Sequence, residues 1–82
     1  MEVKRSAERE LTKLAADVQQ RITAAIDRLR TSPRPRHSEK LEGADDRRRI
    51  RVGDWRVVYT IMKSVLVIQI IRIRHRRDVY RR

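Results

Sequence analysis

The sequence contains no cysteine and only two histidines, which limits the chemistry available to it. Without cysteine, neither a disulfide nor a thiolate zinc site can form. His37 and His75 are too few and too far apart in the sequence to indicate a metal cluster. We therefore expect no bound metal ion and no cofactor.

Long apolar runs are also missing. No run reaches the roughly 18 residues that a membrane span requires, and the charged N-terminal segment lacks the apolar core of a signal peptide. These features predict a cytoplasmic protein that does not enter the membrane. The 82 residues suffice for a single small domain, residues 1–82, with one modest core.

Negative charge is scarce as well. Eleven Asp and Glu residues stand against 22 Lys and Arg residues, which gives a formal net charge of +11. A charge of this size informs about partners rather than about the fold. The candidates are nucleic acid, an acidic protein and an anionic membrane surface. The membrane ranks last, because no basic amphipathic helix dominates the chain.

The N-terminal half has a helical pattern of apolar residues, recurring at three- and four-residue spacing. It predicts a helix over residues 7–30 with Ser6 as its N-cap. An unbroken helix of that length would measure about 36 Å, more than the roughly 30 Å diameter of such a domain. We therefore expect a break near residues 15–17, with Asp17 and Gln20 forming a capping box for the second helix.

The C-terminal half has the period of two that is typical of strands. Three strands are predicted, at residues 48–52, 55–62 and 65–73, with turns at Gly53-Asp54 and Lys63-Ser64. The last strand is apolar on both faces, which favours an interior position in the sheet. The proline-containing segment before the strands, up to Asp46, is predicted to be a loop with Leu41 as its apolar anchor.

The fold class that follows is α+β. A short N-terminal strand and a helical hairpin precede a three-stranded antiparallel meander, and the helices cover one face of the sheet.

The register of the first hairpin predicts an arginine cluster. A two-residue turn at Gly53-Asp54 places Arg51 opposite Arg56 and gathers both, with Arg49, on the open face of the sheet. Like charges directly opposite each other are destabilising, whereas arginine's planar fork binds phosphate bidentately. A polyphosphate ligand explains the cluster better than the alternative, which is a set of solvated surface charges.

The C-terminal tail adds two residues able to transfer protons. His75 is of the residue type that titrates near neutral pH, and Tyr80 offers a phenol. Each has a simpler interpretation, His75 as a surface residue and Tyr80 as an anchor that packs the tail. The residues alone therefore indicate an α+β domain that binds nucleic acid.

Two motifs carry a family resemblance. "RRIRVGDWRVVYTI" at residues 48–61 and "RIRHRRDVYRR" at residues 72–82 resemble the RelE/ParE superfamily of bacterial toxins from type II toxin–antitoxin modules, with the RelE branch the most similar. Members commonly show an "RxRVGDYRVVY" hairpin and an ending such as "RVGHRREVY". "SAERELTKL" and "SPRP…KLEG" fit the same pattern upstream, so the resemblance covers nearly the whole chain.

The resemblance implies a microbial-ribonuclease-like fold and a ribosome-dependent mRNA endonuclease, or mRNA interferase, which inhibits translation. In such enzymes a ribose 2′-hydroxyl attacks the adjacent phosphate, and no metal is needed. The residues carried over from the family motifs are Arg56, His75, Arg76 and Tyr80 for catalysis and Arg49, Arg51 and Arg74 for RNA binding. Guanidinium groups stabilise phosphate charge but cannot act as general bases. Tyr80 is therefore the expected acid or base, with His75 or the ribosome as alternatives.

The chain departs from the family pattern at three positions. Arginine replaces lysine on the first meander strand, Arg74 replaces the glycine before the histidine, and Trp55 replaces the tyrosine that commonly follows the turn. Trp55 falls on the predicted core face and is interpreted as a packing residue.

The resemblance also implies partners and alternatives. The expected partners are mRNA in the ribosomal A site and a cognate antitoxin with an acidic or amphipathic segment, bound in a toxin–antitoxin hetero-oligomer. One alternative is a ParE-like toxin that inhibits DNA gyrase and has no nuclease activity. The other is a non-catalytic RNA- or ribosome-binding module.

Overall fold

The computed structural model describes residues 2–43, 46–62, 67–75 and 77, which form two helices and a mixed five-stranded sheet. In chain order the elements are β1 (Glu2–Val3), α1 (Arg5–Thr12), α2 (Ala16–Arg28), β2 (Glu39–Lys40), β3 (Asp46–Val52), β4 (Trp55–Met62) and β5 (Val67–His75). The strand order across the sheet is β1-β5-β4-β3-β2. The expected α+β class, with a short N-terminal strand, a helical hairpin and a meander, is confirmed.

The β3–β4 hairpin has the register that the sequence predicts. Arg51 pairs with Arg56 and Val52 with Trp55 around the two-residue turn. Because side chains alternate between the faces of a strand, this register separates the apolar residues from the arginines. Ile50 and Val57 are buried on the helix-covered face, whereas Arg49, Arg51 and Arg56 occupy the opposite face.

The core lies between the helices and one face of the sheet. Its helical contributors are Ala7, Ile22, Ala25 and Ile26, with Leu29 just beyond α2. The strands contribute Ile50, Val57, Tyr59, Ile61, Ile68, Ile70 and Ile73. Trp55 packs against this cluster, which confirms its interpretation as a packing residue.

Strand β5 lies inside the sheet, as expected, but only along part of its length. It pairs with β4 over residues 67–75, and with β1 through Glu2 opposite Gln69 and Val3 opposite Ile70. The second half of β5 therefore has no strand on its outer side among the described residues. There helix α1 lies beside β5, and the Ile73 N–H donates a hydrogen bond to the Glu10 carboxylate of α1 at 3.0 Å.

Strand β2 was not expected, because the proline-containing segment before β3 was predicted to be a loop throughout. Glu39 pairs with Arg49 and Lys40 with Arg48, so this short strand extends the sheet beyond β3. The Leu41 N–H then donates to the Arg47 carbonyl at 2.8 Å. A strand of two residues is too short to show the alternation of apolar and polar residues by which strands are predicted from a sequence.

The helical hairpin is confirmed, but its predicted caps are wrong. Helix α1 begins at Arg5, after an N-cap residue with no capping side chain, and the Ser6 hydroxyl instead donates to the Ile71 carbonyl at 3.2 Å. Helix α2 begins at Ala16, so Asp17 lies inside its first turn and caps nothing. The side-chain amide of Gln19 instead holds the connection between the two helices, because it donates a hydrogen bond to the Leu14 carbonyl at 3.0 Å.

Several boundaries also differ from the prediction. Helix α2 ends at Arg28 rather than at residue 30, β3 begins at Asp46, and β5 continues to His75. The predicted Lys63-Ser64 turn lies outside the described residues. Within the described part of the chain, neither helix is long and apolar enough to cross a membrane.

Candidate functional site

Three arginines form a row across the open face of the sheet. Arg56 on β4 pairs with Arg51 on β3 to one side and with Arg74 on β5 to the other. Paired residues of neighbouring strands share a face and lie within about 5.5 Å of each other. The strand register alone therefore brings Arg51, Arg56 and Arg74 together, three of the residues that the family resemblance singles out.

The arginine cleft, lined by His37, Glu39, Arg49, Arg51 and Arg56, has a volume of about 290 Å³. Strand β3 supplies Arg49 and Arg51, and β4 supplies Arg56. The cleft is large enough for a phosphate group with part of its nucleotide. Arg74 belongs to the row but does not line the cleft.

Arg56 is unusually buried for an arginine, with only 7% of its surface exposed. Its Nε has no hydrogen-bond partner among the described residues. Leaving a buried polar group unpaired costs about 1 to 3 kcal/mol, and more when the group is charged. This arrangement favours a ligand that accepts hydrogen bonds and carries negative charge.

Acidic residues neutralise only part of the arginine cluster. The Glu39 carboxylate accepts a hydrogen bond from Arg49 at 2.6 Å. This bond and the charge of Arg49 lower the pKa of Glu39, and Arg56 and Arg51 lower it further. Among the described residues that line the cleft, Glu39 is the one carboxylate beside three arginines, so the cleft keeps an excess of positive charge that an anion can balance.

The guanidinium of Arg74 is held at the edge of the sheet rather than in the cleft. Its Nε lies 3.0 Å from a Glu10 carboxylate oxygen, and Arg72 approaches the same oxygen at 3.6 Å. Helix α1 thus supplies one carboxylate for two arginines of β5. Arg74 is half-exposed and can still rotate toward a ligand, but in the structure its charge is compensated.

His75 lies on the other side of the sheet from the cleft. It pairs with Trp55, and the two rings meet edge to face with their centroids 5.1 Å apart. Its Nδ1 accepts a hydrogen bond from the Arg77 N–H at 3.2 Å. The structure therefore does not bring His75 together with Arg51 and Arg56, because even-numbered residues of β5 in this stretch face the arginines. Arg76 and Tyr80, the other catalytic candidates of the tail, lie outside the described residues.

Sequence reasoning missed two residues that line the cleft, His37 and Glu39. Both precede β3 in the segment that was predicted to be a loop. The pairing of β2 with β3 brings Glu39 beside Arg49. A carboxylate a few residues before an arginine-rich strand was a usable signal, but only if β2 had been recognised. In the described part of the chain, no three His, Asp or Glu side chains are grouped so that they could hold a metal ion.

Comparison with known proteins identifies a family with this fold. The profile of the family described as "ParE toxin of type II toxin-antitoxin system, parDE" matches residues 1–80. Comparison of the sequence with curated proteins gives no match.

Solved structures with a similar fold include RelE toxins. The chain is similar to RelE in the archaeal RelE–RelB complex of Pyrococcus horikoshii OT3, with 26% identity, a TM-score of 0.78, and coverage of 92% of this chain and 91% of that one. For RelE in the Methanococcus jannaschii RelB–RelE complex the identity is 20%, the TM-score 0.80, and the coverage 99% and 96%. For the isolated E. coli RelE toxin these values are 24%, 0.79, and 90% and 80%.

The profile match extends over nearly the entire chain, and the fold agrees with it. The chain belongs to the ParE toxin family of type II toxin–antitoxin systems, within the RelE/ParE superfamily, and it has the fold of the RelE toxins.

Proposed function

We propose that this toxin is a ribosome-dependent endoribonuclease, which cleaves mRNA in the ribosomal A site and thereby inhibits translation in the cytoplasm. The observation that carries the proposal is the excess of positive charge in the arginine cleft, where Arg51 lies beside Arg56 and the buried Arg56 Nε has no hydrogen-bond partner among the described residues. A phosphate diester supplies hydrogen-bond acceptor oxygens for the Arg56 guanidinium and a negative charge that balances it.

The chemistry assigned to the cleft is an intramolecular displacement on the RNA backbone. The ribose 2′-oxygen forms a bond to the adjacent phosphorus, and the bond from phosphorus to the 5′-oxygen of the next nucleotide breaks. The products are a cyclic phosphate and a free 5′-hydroxyl. Arg51 and Arg56 stabilise the negative charge that builds up on the phosphate oxygens in the transition state. Arg49 and Arg74 contribute to RNA binding once the phosphate backbone competes with Glu39 and Glu10 for them.

The tail residues Arg76 and Tyr80 remain part of the proposal. Arg76 would add a further cation and Tyr80 a phenol for proton transfer, as the resemblance to the RelE branch implies. A Tyr80→Phe variant that cleaves at the wild-type rate would contradict the role of Tyr80. His75 is retained only as a positioning residue, since its ring packs against Trp55 on the opposite face.

Primer extension on a defined mRNA in a reconstituted translation reaction tests the proposal. We expect cuts in phase with codons that require ribosomes, and a loss of about 100- to 1000-fold in cleavage rate for Arg56→Ala. Arg51→Ala is the second variant, because Arg51 is exposed and its removal leaves the core intact. Arg9→Ala on α1 is the matched control, and it should cleave at the wild-type rate.

Intact message with the wild-type protein would contradict the nuclease. A gyrase supercoiling assay would then test the alternative of a ParE-like inhibitor, which the name of the matching family favours. Inhibition of supercoiling would support that alternative. Binding to ribosomes without either activity would indicate a non-catalytic module.

An antitoxin is the expected second partner. The similar RelE chains of P. horikoshii and M. jannaschii were solved in complex with RelB. We propose that this toxin likewise binds a cognate antitoxin in a hetero-oligomer. The net charge of +11 favours a partner with an acidic segment that covers the arginine cleft.

A further inference from the structure

The arginine cleft contains good electrostatic catalysts but needs a proton acceptor. Cleavage by a 2′-hydroxyl requires that its proton be removed as the bond to phosphorus forms. The guanidinium groups of Arg49, Arg51 and Arg56 have no acceptor lone pair and stay protonated. Their contribution is therefore limited to charge stabilisation.

Glu39 is poorly suited to remove this proton. Its carboxylate is engaged by Arg49 at 2.6 Å, and its pKa lies below the ordinary value of 4.5 because of that hydrogen bond and the neighbouring charges. A carboxylate with a lowered pKa is a weak base. Among the described residues that line the cleft, His37 is the remaining side chain with a lone pair able to accept a proton near neutral pH.

His37 is held at the cleft by contacts on both sides of it in the chain. On its N-terminal side, the Tyr59 hydroxyl donates to the Pro33 carbonyl at 2.7 Å, so the loop is tied to the central strand β4. On its C-terminal side, Arg48 donates to the Ser38 hydroxyl at 3.1 Å, and β2 then pairs with β3. The Ser38 N–H and hydroxyl both bond to the Pro35 carbonyl, which closes the turn around His37.

We propose that His37 is the general base of this toxin, an inference that rests on the proposed nuclease function. The neutral imidazole takes the proton from the ribose 2′-hydroxyl while the 2′-oxygen bonds to phosphorus. The bond from phosphorus to the 5′-oxygen breaks with its electron pair, and the departing oxygen takes a proton from water. The imidazolium then returns its proton to the hydroxide left behind, so charge and protons balance over the cycle.

The predicted pH dependence has a clear sign. A general base must be neutral to act, so the cleavage rate rises with pH through the range of about pH 5 to 8 in which histidine titrates. The groups that face His37 do not obscure this rise. Glu39, Arg49, Arg51 and Arg56 line the cleft, and Arg28 of α2 shares with His37 a second cleft of about 230 Å³ on the helix side. The arginines stay charged, and Glu39 with its lowered pKa stays ionised.

The test is single-turnover cleavage of mRNA on programmed ribosomes from about pH 6 to 8, with wild-type protein and His37→Gln. We expect His37→Gln to cleave about 100-fold more slowly at neutral pH and to lose the rise with pH. Its affinity for an uncleavable RNA should stay within about twofold of wild type, since glutamine keeps a polar side chain at this exposed position. His37→Ala with added imidazole should recover part of the rate.

Two variants sharpen the interpretation. Arg36→Gln changes the adjacent exposed residue, which does not line the cleft, and should keep both the rate and the pH profile of the wild type. His75→Gln tests the other histidine of the chain. If His75→Gln, rather than His37→Gln, abolishes the rise with pH, the assignment to His37 is overturned.

The remaining outcomes separate this inference from the proposed function. Wild-type cleavage together with an unchanged rate and profile for His37→Gln would overturn the role of His37 and leave the nuclease intact. No cleavage by the wild-type protein in the same reaction would overturn both.

Discussion

Asp46 shows how a single carboxylate fixes the segment that approaches the cleft. It lies 2.7 Å from Arg34 of the loop and 3.0 Å from Arg48 of its own strand, with only 7% of its side chain exposed. Burial opposes the charged form of Asp46, but the hydrogen bonds and charges of the two arginines outweigh it and lower its pKa below 3.8. The ionised form is therefore the one that stabilises the fold.

We predict that Asp46→Asn lowers the free energy of unfolding at neutral pH by about 1 to 3 kcal/mol. The folded-state pKa is depressed, so the contribution of Asp46 is present above its unfolded pKa and is lost as the pH falls through the folded value. The difference between wild type and variant should stay constant from neutral pH to about pH 5 and shrink below about pH 4. Urea denaturation across this range measures it.

Glu39→Gln is the matched control for this prediction. The pKa of Glu39 is also lowered by an arginine, but its side chain is 65% exposed, so the surrounding water weakens the pair. Its removal should change stability much less than Asp46→Asn does. Equal losses for the two variants would show that the burial of Asp46 is unimportant.

At the scale of the element, the β3–β4 turn depends on Gly53. Its φ of +60° is in the left-handed region that most residues avoid. A Cβ at this position would also lie 3.1 Å from the Arg21 guanidinium of α2. The turn sets the register that aligns Arg51 with Arg56, so it shapes the cleft from a distance.

We expect Gly53→Ala to destabilise the protein by about 1 to 2 kcal/mol, the cost of the left-handed conformation for a residue with a Cβ. Gly53→Asn should cost less, because asparagine tolerates this conformation. Both variants add the same Cβ next to the flexible end of Arg21, so the difference between their stabilities isolates the free-energy cost of the left-handed backbone conformation. Thermal unfolding followed by circular dichroism measures both, and equal losses would attribute the effect to Arg21 instead.

Elements with a regular pattern were the predictable part of this fold. Alternation over residues 48–52 and 55–62, together with the Gly53-Asp54 turn, predicted the faces of β3 and β4 and with them the positions of Arg51 and Arg56. Strand β2 could not be predicted in the same way, because a pair of residues shows no period and its pairing comes from contacts distant in sequence. The cleft residues Glu39 and His37 were missed for this reason.

The position of His75 relative to the cleft has a related cause. The motif places it next to Arg74 in the sequence, and both were assigned to one site. Because β5 continues to His75, these neighbours point to opposite faces of the sheet. The face on which His75 lies was thus determined by the length of β5, which depends on its pairing with β4. The helix caps failed similarly, since Ser6 found a partner in Ile71, far away in the sequence.

At the scale of the whole molecule, the excess positive charge predicts binding that depends on salt. For single-stranded nucleic acid, the logarithm of the binding constant falls linearly with the logarithm of the salt concentration, by about 0.7 for each phosphate contacted. We predict this behaviour for an uncleavable RNA, with a slope smaller by about 0.7 for Arg51→Ala. Fluorescence anisotropy at several salt concentrations measures the slopes.

The control for charge alone is again Arg9→Ala, which removes one cation from α1. Its slope should match that of the wild type, because Arg9 lies on α1 and does not line the arginine cleft. If all three proteins share one slope, the RNA does not contact the arginine cleft, and the excess charge acts only as a diffuse field.

The pairing of β1 with β5 sets an order of assembly. Glu2 and Gln69 are 67 positions apart and joined by a side-chain hydrogen bond. At a synthesis rate of about 5 to 20 residues per second, β5 is therefore made roughly 3 to 13 seconds after β1, and the two strands cannot pair before then. The central strand β4 has the same dependence, because β5 covers one of its sides. We expect the nascent chain to remain sensitive to protease until β5 has emerged, which gives the cell an interval to bring a partner to the toxin before its sheet is complete.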